Sequence, residues 1–119
     1  MNAFGKHRWY KIVETEAELS FENDIATATV NDKKICLGRF GDRLFAFAQK
    51  CPHAGALMAE GGYIDAVGNV VCPSHRYKFN PINGHNVSGE GYHLKHWPAE
   101  RREDGIYVEM DGGLFGWLK

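Results

Sequence analysis

Two short runs constrain this chain more than anything else in it: Cys51-Pro52-His53 and Cys72-Pro73-Ser74-His75. Each sets a thiol and an imidazole close together beside proline, and the two runs jointly supply two Cys and two His, enough donors for a four-ligand metal site. The segment between them, residues 54–71, contains Gly55, Gly61, Gly62 and Gly68. It is long enough to leave one loop, form a hairpin and return to the other.

Two loops can meet only on a rigid base, and the rest of the sequence reads as strands. Residues 7–13 carry Trp9, Tyr10, Ile12 and Val13, aromatic and β-branched side chains that suit a pleated surface. The acidic residues 14–24 are expected to form a solvated linker anchored by Leu19 and Phe21. Residues 25–30 alternate, and Asn31-Asp32 offers a turn into residues 34–40. Gly41-Asp42 turns the chain again into residues 43–48, where Leu44, Ala46 and Ala48 face one way and Phe45 and Phe47 the other.

Residues 63–65 and 69–71 flank a hairpin that leads into Cys72. Residues 77–80 leave the second run and turn at Pro81-Ile82-Asn83-Gly84, where Asn-Gly is a strong hairpin signal. Residues 93–99 and 106–110 complete the strands, joined by a polar loop that turns at Asp104-Gly105. No long apolar stretch repeats with a helical period, so helices should be few and short.

With 119 residues, 44% of them hydrophobic, the chain suits a single domain, 1–119, around one core. Its net charge of -1 leaves no basic stripe to neutralise phosphates, which argues against nucleic acid as a partner. No run approaches the roughly eighteen apolar residues of a membrane span. The opening MNAFGKHRWY lacks the apolar centre of a signal peptide, so a cytoplasmic location is expected. Three cysteines fit no paired disulfide framework, and in a reducing compartment such thiols are free or bind metal. Cys36, inside a strand pattern, reads as a small buried hydrophobe. The apolar tail Leu114-Phe115-Gly116-Trp117-Leu118 is expected to pack back on the core or to meet a partner.

Two Cys and two His also describe zinc fingers, so the ligand set alone does not choose a metal. Zinc fingers usually place Cys near Cys and His near His. Here each run mixes the two, so each loop can give one ligand to each of two irons, an arrangement that a mononuclear site does not need.

The spacing C-x-H followed by C-x-x-H, within CPHAGALMAEGG and VVCPSHRYKFN, resembles the Rieske 2Fe-2S motif, and the strand pattern resembles Rieske ferredoxins over nearly the whole chain. The resemblance implies an all-β fold: an antiparallel β-sandwich base carrying a small cluster-binding subdomain of two loops, at about residues 49–82. It implies one 2Fe-2S cluster per chain, with Cys51 and Cys72 on one iron and His53 and His75 on the other. Two ferric ions, two sulfides and two thiolates balance to neutrality with neutral imidazoles, whereas four thiolates start two units more negative. Reduction is correspondingly easier.

Rieske proteins of cytochrome bc complexes add a cysteine to each loop, joined as a disulfide; here those positions hold Ala56 and Ser74. Those proteins also place Ser and Tyr hydroxyls after the second run, where this chain has Tyr77 and Phe79. Fewer donors to sulfur imply a potential in the lower part of a range of roughly -150 to +300 mV. Two features depart from the family pattern. Arg76 stands where Gly usually follows the second His, and the third loop, Ser88-Gly89-Glu90-Gly91-Tyr92, lacks the Pro that often covers the cluster. Arg76 is expected to be solvated or to serve partner docking. Leu57 and Met58 are expected to form an apolar rim or to join the core, while His7, His85, His93 and His96 have no metal-type spacing to the four ligands.

The expected function is one-electron transfer, from a ferredoxin reductase to a terminal oxygenase or other acceptor, by a carrier that does not itself transform substrate. The alternative is a small subunit of an assimilatory nitrite reductase-like complex. A structural zinc module is the third possibility.

Overall fold

The computed structural model describes residues 7–53 and 55–111. The first strand, β1 (His7–Val13), leads through a single 3-10 turn at Glu16–Glu18 into three strands: β2 (Ile25–Val30), β3 (Lys33–Phe40) and β4 (Arg43–Ala48). β2 and β3 are joined by Asn31 and Asp32, with φ of 53° and 67°. That left-handed pair gives the backbone twist a two-residue hairpin needs, and Asn and Asp are the non-glycine residues that tolerate it best. As a result β3 begins one residue earlier than the alternation suggests, with Val30 opposite Lys33.

Three two-residue strands follow, β5 (Tyr63–Ile64), β6 (Val70–Val71) and β7 (Lys78–Phe79). The chain closes with β8 (His96–Trp97), β9 (Ala99–Arg102) and β10 (Gly105–Asp111). Among the described residues these form three antiparallel sheets, in the orders β1-β10-β9, β2-β3-β4-β8 and β5-β6-β7. The fold is all-β, as expected, and no described helix is long and apolar enough to cross a membrane.

Two apolar cores flank the middle sheet, where composition suggested one. The residues of β3 and β4 divide between them. Ile35, Leu37 and Ala46 pack with Val108, Met110 and Trp97, while Cys36, Phe45 and Phe47 pack with Met58, Ile64, Val70, Phe79 and the thiols Cys51 and Cys72. Phe47 and Phe79 are fully buried, and a ring of this kind contributes about 1.5–3 kcal/mol on burial. The predicted split of β4 into an alanine face and a phenylalanine face is therefore the split between the two cores. The cysteine loops hang on the phenylalanine side.

Residues 14–24 are largely exposed with Leu19 and Phe21 half-buried, as expected, and Leu19 packs on the core that contains Val108. They are fastened at several points: Glu18 accepts hydrogen bonds from the Glu14 and Thr15 N–H groups, Glu16 pairs with Arg101 at 2.7 Å, and Arg39 lies 4.1 Å over the Phe21 ring. Strand pairing at the C-terminal end differs from expectation. The polar residues 99–102 form β9 and pair with β10, while residues 93–95 lie outside the strands, held by an isolated bridge between His93 and His85 and by backbone hydrogen bonds of Leu94 with Gly84 and of Lys95 with Ala48. β9 is an edge strand with three exposed charged residues, Glu100, Arg101 and Arg102, and edge strands carry charge that hides them from an apolar pattern. The apolar tail, Leu114 to Leu118, lies outside the described residues.

Candidate metal centre

The two runs occupy equivalent loops. In the first, lying between β4 and β5, the Cys51 N–H donates to the Ala56 carbonyl at 2.8 Å; in the second, between β6 and β7, the Cys72 N–H donates to the Tyr77 carbonyl at 2.8 Å. Each cysteine thus closes a tight loop onto the residue five positions on. The loops are also packed on one another. A Cβ at Gly61 would lie 3.2 Å from the Pro73 side chain, and one at Gly62 would lie 2.3 Å from the Met58 carbonyl oxygen and 2.9 Å from that of Val71.

This packing brings all four predicted residues together, sorted by chemistry. The Cys51 thiol is a hydrogen-bond neighbour of the Cys72 thiol, and the Ser74 N–H donates to Cys72 Sγ at 3.3 Å. Burial, and after it the Cys51 thiol, push the Cys72 thiol up to about 11. The His53 and His75 rings stand 5.0 Å apart between centroids, tilted by 59°. Both cysteines are buried, His53 is half-buried and His75 is exposed. His53 Nδ1 is buried with no hydrogen-bond partner, a state that costs free energy unless something binds the nitrogen.

Among the described residues, no three Cys, His, Asp or Glu side chains gather round a single point as one ion requires. The donors form instead a sulfur pair and an imidazole pair. A dinuclear iron–sulfur centre fits that set, because its cationic irons compensate two thiolates in an apolar pocket and give the orphaned imidazole nitrogen a partner.

Aromatic rings cover the imidazole side. Tyr77 lies 4.0 Å from the His53 ring at an interplanar angle of 32°, and Tyr92 lies 5.6 Å from His53 and 5.9 Å from Tyr77. Tyr92 arrives on the third loop, which Asn86 organises. Asn86 Oδ1 accepts from the Glu90 and Gly91 N–H groups, its amide donates to the Lys78 carbonyl at 3.0 Å, and the Ser88 hydroxyl donates to the Glu90 carboxylate. The Ser88 and Asn86 hydrogen bonds hold Glu90 below the usual carboxylate range, with the nearby His53 adding to the effect. Desolvation and then the Glu90 charge push the Tyr77 phenol up.

Sequence reasoning singled out the four Cys and His residues as candidates but not Tyr92, whose ring stands beside His53, or the residues that support it. The available signal was Asn86 followed by Ser88 and Glu90 between glycines, a pattern typical of a loop built on side-chain-to-backbone bonds. Other expectations resolve simply. Met58 is fully buried in the core while Leu57 is half-buried, Arg76 is exposed, and His85 and His93 are exposed with rings 5.9 Å apart. Cys36 is fully buried, and burial pushes its thiol up to about 12. A separate cleft of about 610 Å³, lined by residues that include Arg43, Leu44, Ile82 and Trp97, contains none of the four.

This is an all-β domain with a candidate metal centre held between two loops. The Rieske 2Fe-2S domain model matches residues 8–98, and the chain belongs to that family, whose members bind a 2Fe-2S cluster and carry electrons. It is 27% identical over 116 residues to the cholesterol 7-desaturase nvd of Drosophila melanogaster, a match that covers 92% of this chain and 25% of that protein. The chain therefore spans about a quarter of that relative's length.

Among solved structures, the ferredoxin of carbazole 1,9a-dioxygenase from Nocardioides aromaticivorans IC177 superposes with a TM-score of 0.71 at 20% identity, covering 84% of this chain and 95% of that one. A chain from the complex of reduced oxygenase and oxidised ferredoxin in carbazole 1,9a-dioxygenase gives a TM-score of 0.67 at 25% identity, covering 84% and 91%. A protein described as the small subunit of an NADPH nitrite reductase gives 0.70 at 18% identity, covering 85% and 97%.

Proposed function

We propose that Cys51 and Cys72 hold one iron of the 2Fe-2S cluster and His53 and His75 the other, and that the chain passes single electrons from a ferredoxin reductase to a terminal oxygenase without transforming a substrate itself. The sorting of the four donors into a sulfur pair and an imidazole pair carries this reading. When bound, the cluster supplies a centre that takes up and returns one electron.

The chain's own residues set the conditions. Phe47, Met58 and Phe79 pack around the two cysteines and exclude water from the sulfur side. The Ser74 N–H donates to Cys72 Sγ, whereas the buried Phe79 brings no hydroxyl, which favours a potential in the lower part of the Rieske range. His75 offers an exposed imidazole edge to a partner.

The oxygenase reading draws support from the likeness to a chain of the carbazole dioxygenase oxygenase–ferredoxin complex, which this chain covers to 91% of its length. A cytoplasmic carrier is consistent with three cysteines that form no disulfide. The fold likeness to the nitrite reductase small-subunit protein motivates the second reading, a stable enzyme subunit.

Purification, metal analysis and an anaerobic redox titration followed by absorbance and EPR test these readings. The expected result is a protein that purifies alone, contains iron and acid-labile sulfide in equal amounts and reduces reversibly by one electron at a low potential; Cys72→Ser abolishes the native spectrum. A colourless protein holding one zinc ends the electron-transfer reading, and a clearly positive midpoint contradicts the ferredoxin assignment. Full retention of the spectrum in Cys72→Ser sinks the ligand assignment. Constant co-purification with a larger flavin or haem protein favours the subunit.

A further inference from the structure

The fold treats its two imidazoles unequally. His75 is exposed, in a turn where it and Arg76 both adopt left-handed backbone, whereas His53 is half-buried. Tyr77 is 4.0 Å from the His53 ring but 6.2 Å from the His75 ring. Tyr92 adds a second ring at 5.6 Å from His53 and 5.9 Å from Tyr77.

We propose that Tyr77 and Tyr92 form an aromatic clamp that positions the His53 ring and closes it to water and partner proteins, leaving the His75 edge as the imidazole a redox partner touches. This rests on the carrier reading above. It adds an assignment of which imidazole is open and of what keeps the other shut.

The clamp is built before any partner arrives. Lys78, next to Tyr77 in the chain, is tied to the segment 86–88 three times: its N–H donates to Ser88 Oγ at 3.0 Å, and its carbonyl accepts from the Asn86 amide at 3.0 Å and from the Val87 N–H at 2.9 Å. Asn86 Oδ1 in turn accepts from the Gly91 N–H at 2.9 Å, directly before Tyr92. Gly89 and Gly91, with φ of 95° and 87°, allow the bend that carries Tyr92 back over the ring. A tyrosine is suited to this role because it covers a large area with few rotatable bonds to immobilise. Tyr77 and Tyr92 are positioning residues. The transfer itself moves one electron from a reducing protein to an oxidising one, with no bond formed or broken.

Limited carbethoxylation of the cluster-loaded protein with diethyl pyrocarbonate, mapped peptide by peptide, tests the proposal, with the visible spectrum recorded on every sample. The expected result is modification of His75 and of the exposed His85 and His93, with His53 protected. Tyr92→Ala raises His53 modification about fivefold, the scale of one aromatic ring pair. Tyr92→Phe keeps the protection, because the clamp needs the ring and not the hydroxyl. Pulsed EPR of the reduced protein in deuterated water gives an independent reading: Tyr92→Ala increases the deuterium coupling.

Equal modification of His53 and His75 in the parent protein overturns the clamp whatever the variants do, as does unchanged His53 protection in Tyr92→Ala. A protein that never shows an iron–sulfur spectrum counts against the carrier reading. A normal spectrum with a reactive His53 counts against the clamp alone.

Discussion

His75 and Arg76 are consecutive non-glycine residues with φ of 65° and 59°. That conformation brings Cβ close to the following carbonyl and costs about 1–2 kcal/mol per residue. The strain falls on Arg76, the ligand-loop residue that departs from the family pattern in the sequence. A glycine after the second histidine meets no such penalty, and Arg76 does. Arg76→Gly should therefore raise stability by about 0.5–1 kcal/mol, the relief of backbone strain being offset in part by the greater freedom of glycine in the unfolded chain. Urea unfolding of the loaded protein measures it, and a loss of stability would show that the arginine side chain makes a compensating contact.

The same scale shows what a sequence can disclose. Cys51, His53, Cys72 and His75 were legible as candidate ligands because metal chemistry restricts both residue type and spacing. Tyr92 was not, because its role depends on where a loop 39 residues beyond His53 lands in space.

At the scale of elements, the register of the two loops depends on close backbone approach. Gly62 has an ordinary φ, yet a Cβ there would meet the Met58 and Val71 carbonyl oxygens at 2.3 Å and 2.9 Å, backbone atoms that cannot swing aside. Gly41 is the converse, with a φ of 59° and nothing within 4 Å of an added Cβ. Gly62→Ala is expected to cost about 3 kcal/mol or more by overpacking, and Gly41→Ala about 1 kcal/mol by strain alone. Equal losses in denaturant unfolding would mean that the loops can part without consequence.

Strands β1 to β4 were readable because alternation, turn residues and β-branched side chains agree there. β9 was not readable, since an edge strand needs charge more than it needs an apolar face, and Glu100, Arg101 and Arg102 resemble a loop until Gly105 folds them against β10. The acidic segment before β2 is largely exposed with Leu19 and Phe21 half-buried, as its sequence suggested. One further tie was hidden: the ion pair between Glu16 and Arg101 joins residues 85 positions apart, and no local pattern encodes that.

For the whole molecule, the pH dependence of stability tests the burial of Cys36. Its thiol titrates near 9 when unfolded and is pushed up to about 12 by burial in the folded chain. The folded state therefore holds its full advantage below pH 9, and that advantage declines as pH rises from 9 towards 12, where the unfolded chain ionises and the folded one does not. The slope contributed is about 1.4 kcal/mol per pH unit. Cys36→Ala should lower stability at neutral pH by leaving a small cavity, yet lose less than the parent between pH 9 and 11. The comparison belongs in the loaded protein, where the proposed ligation engages the other two thiols, and parallel curves for variant and parent would contradict the burial.

The middle sheet, with one core on each of its faces, makes the protein its own indicator. Cys51 and Cys72 share their core with Phe47 of β4, and the neighbouring Ala46 belongs to the opposite core, so the strand cannot come loose on one side and stay seated on the other. The colour of a loaded sample is then a gauge of the integrity of the entire chain: bleaching on heating and loss of the distant β1–β10 pairing should trace a single curve.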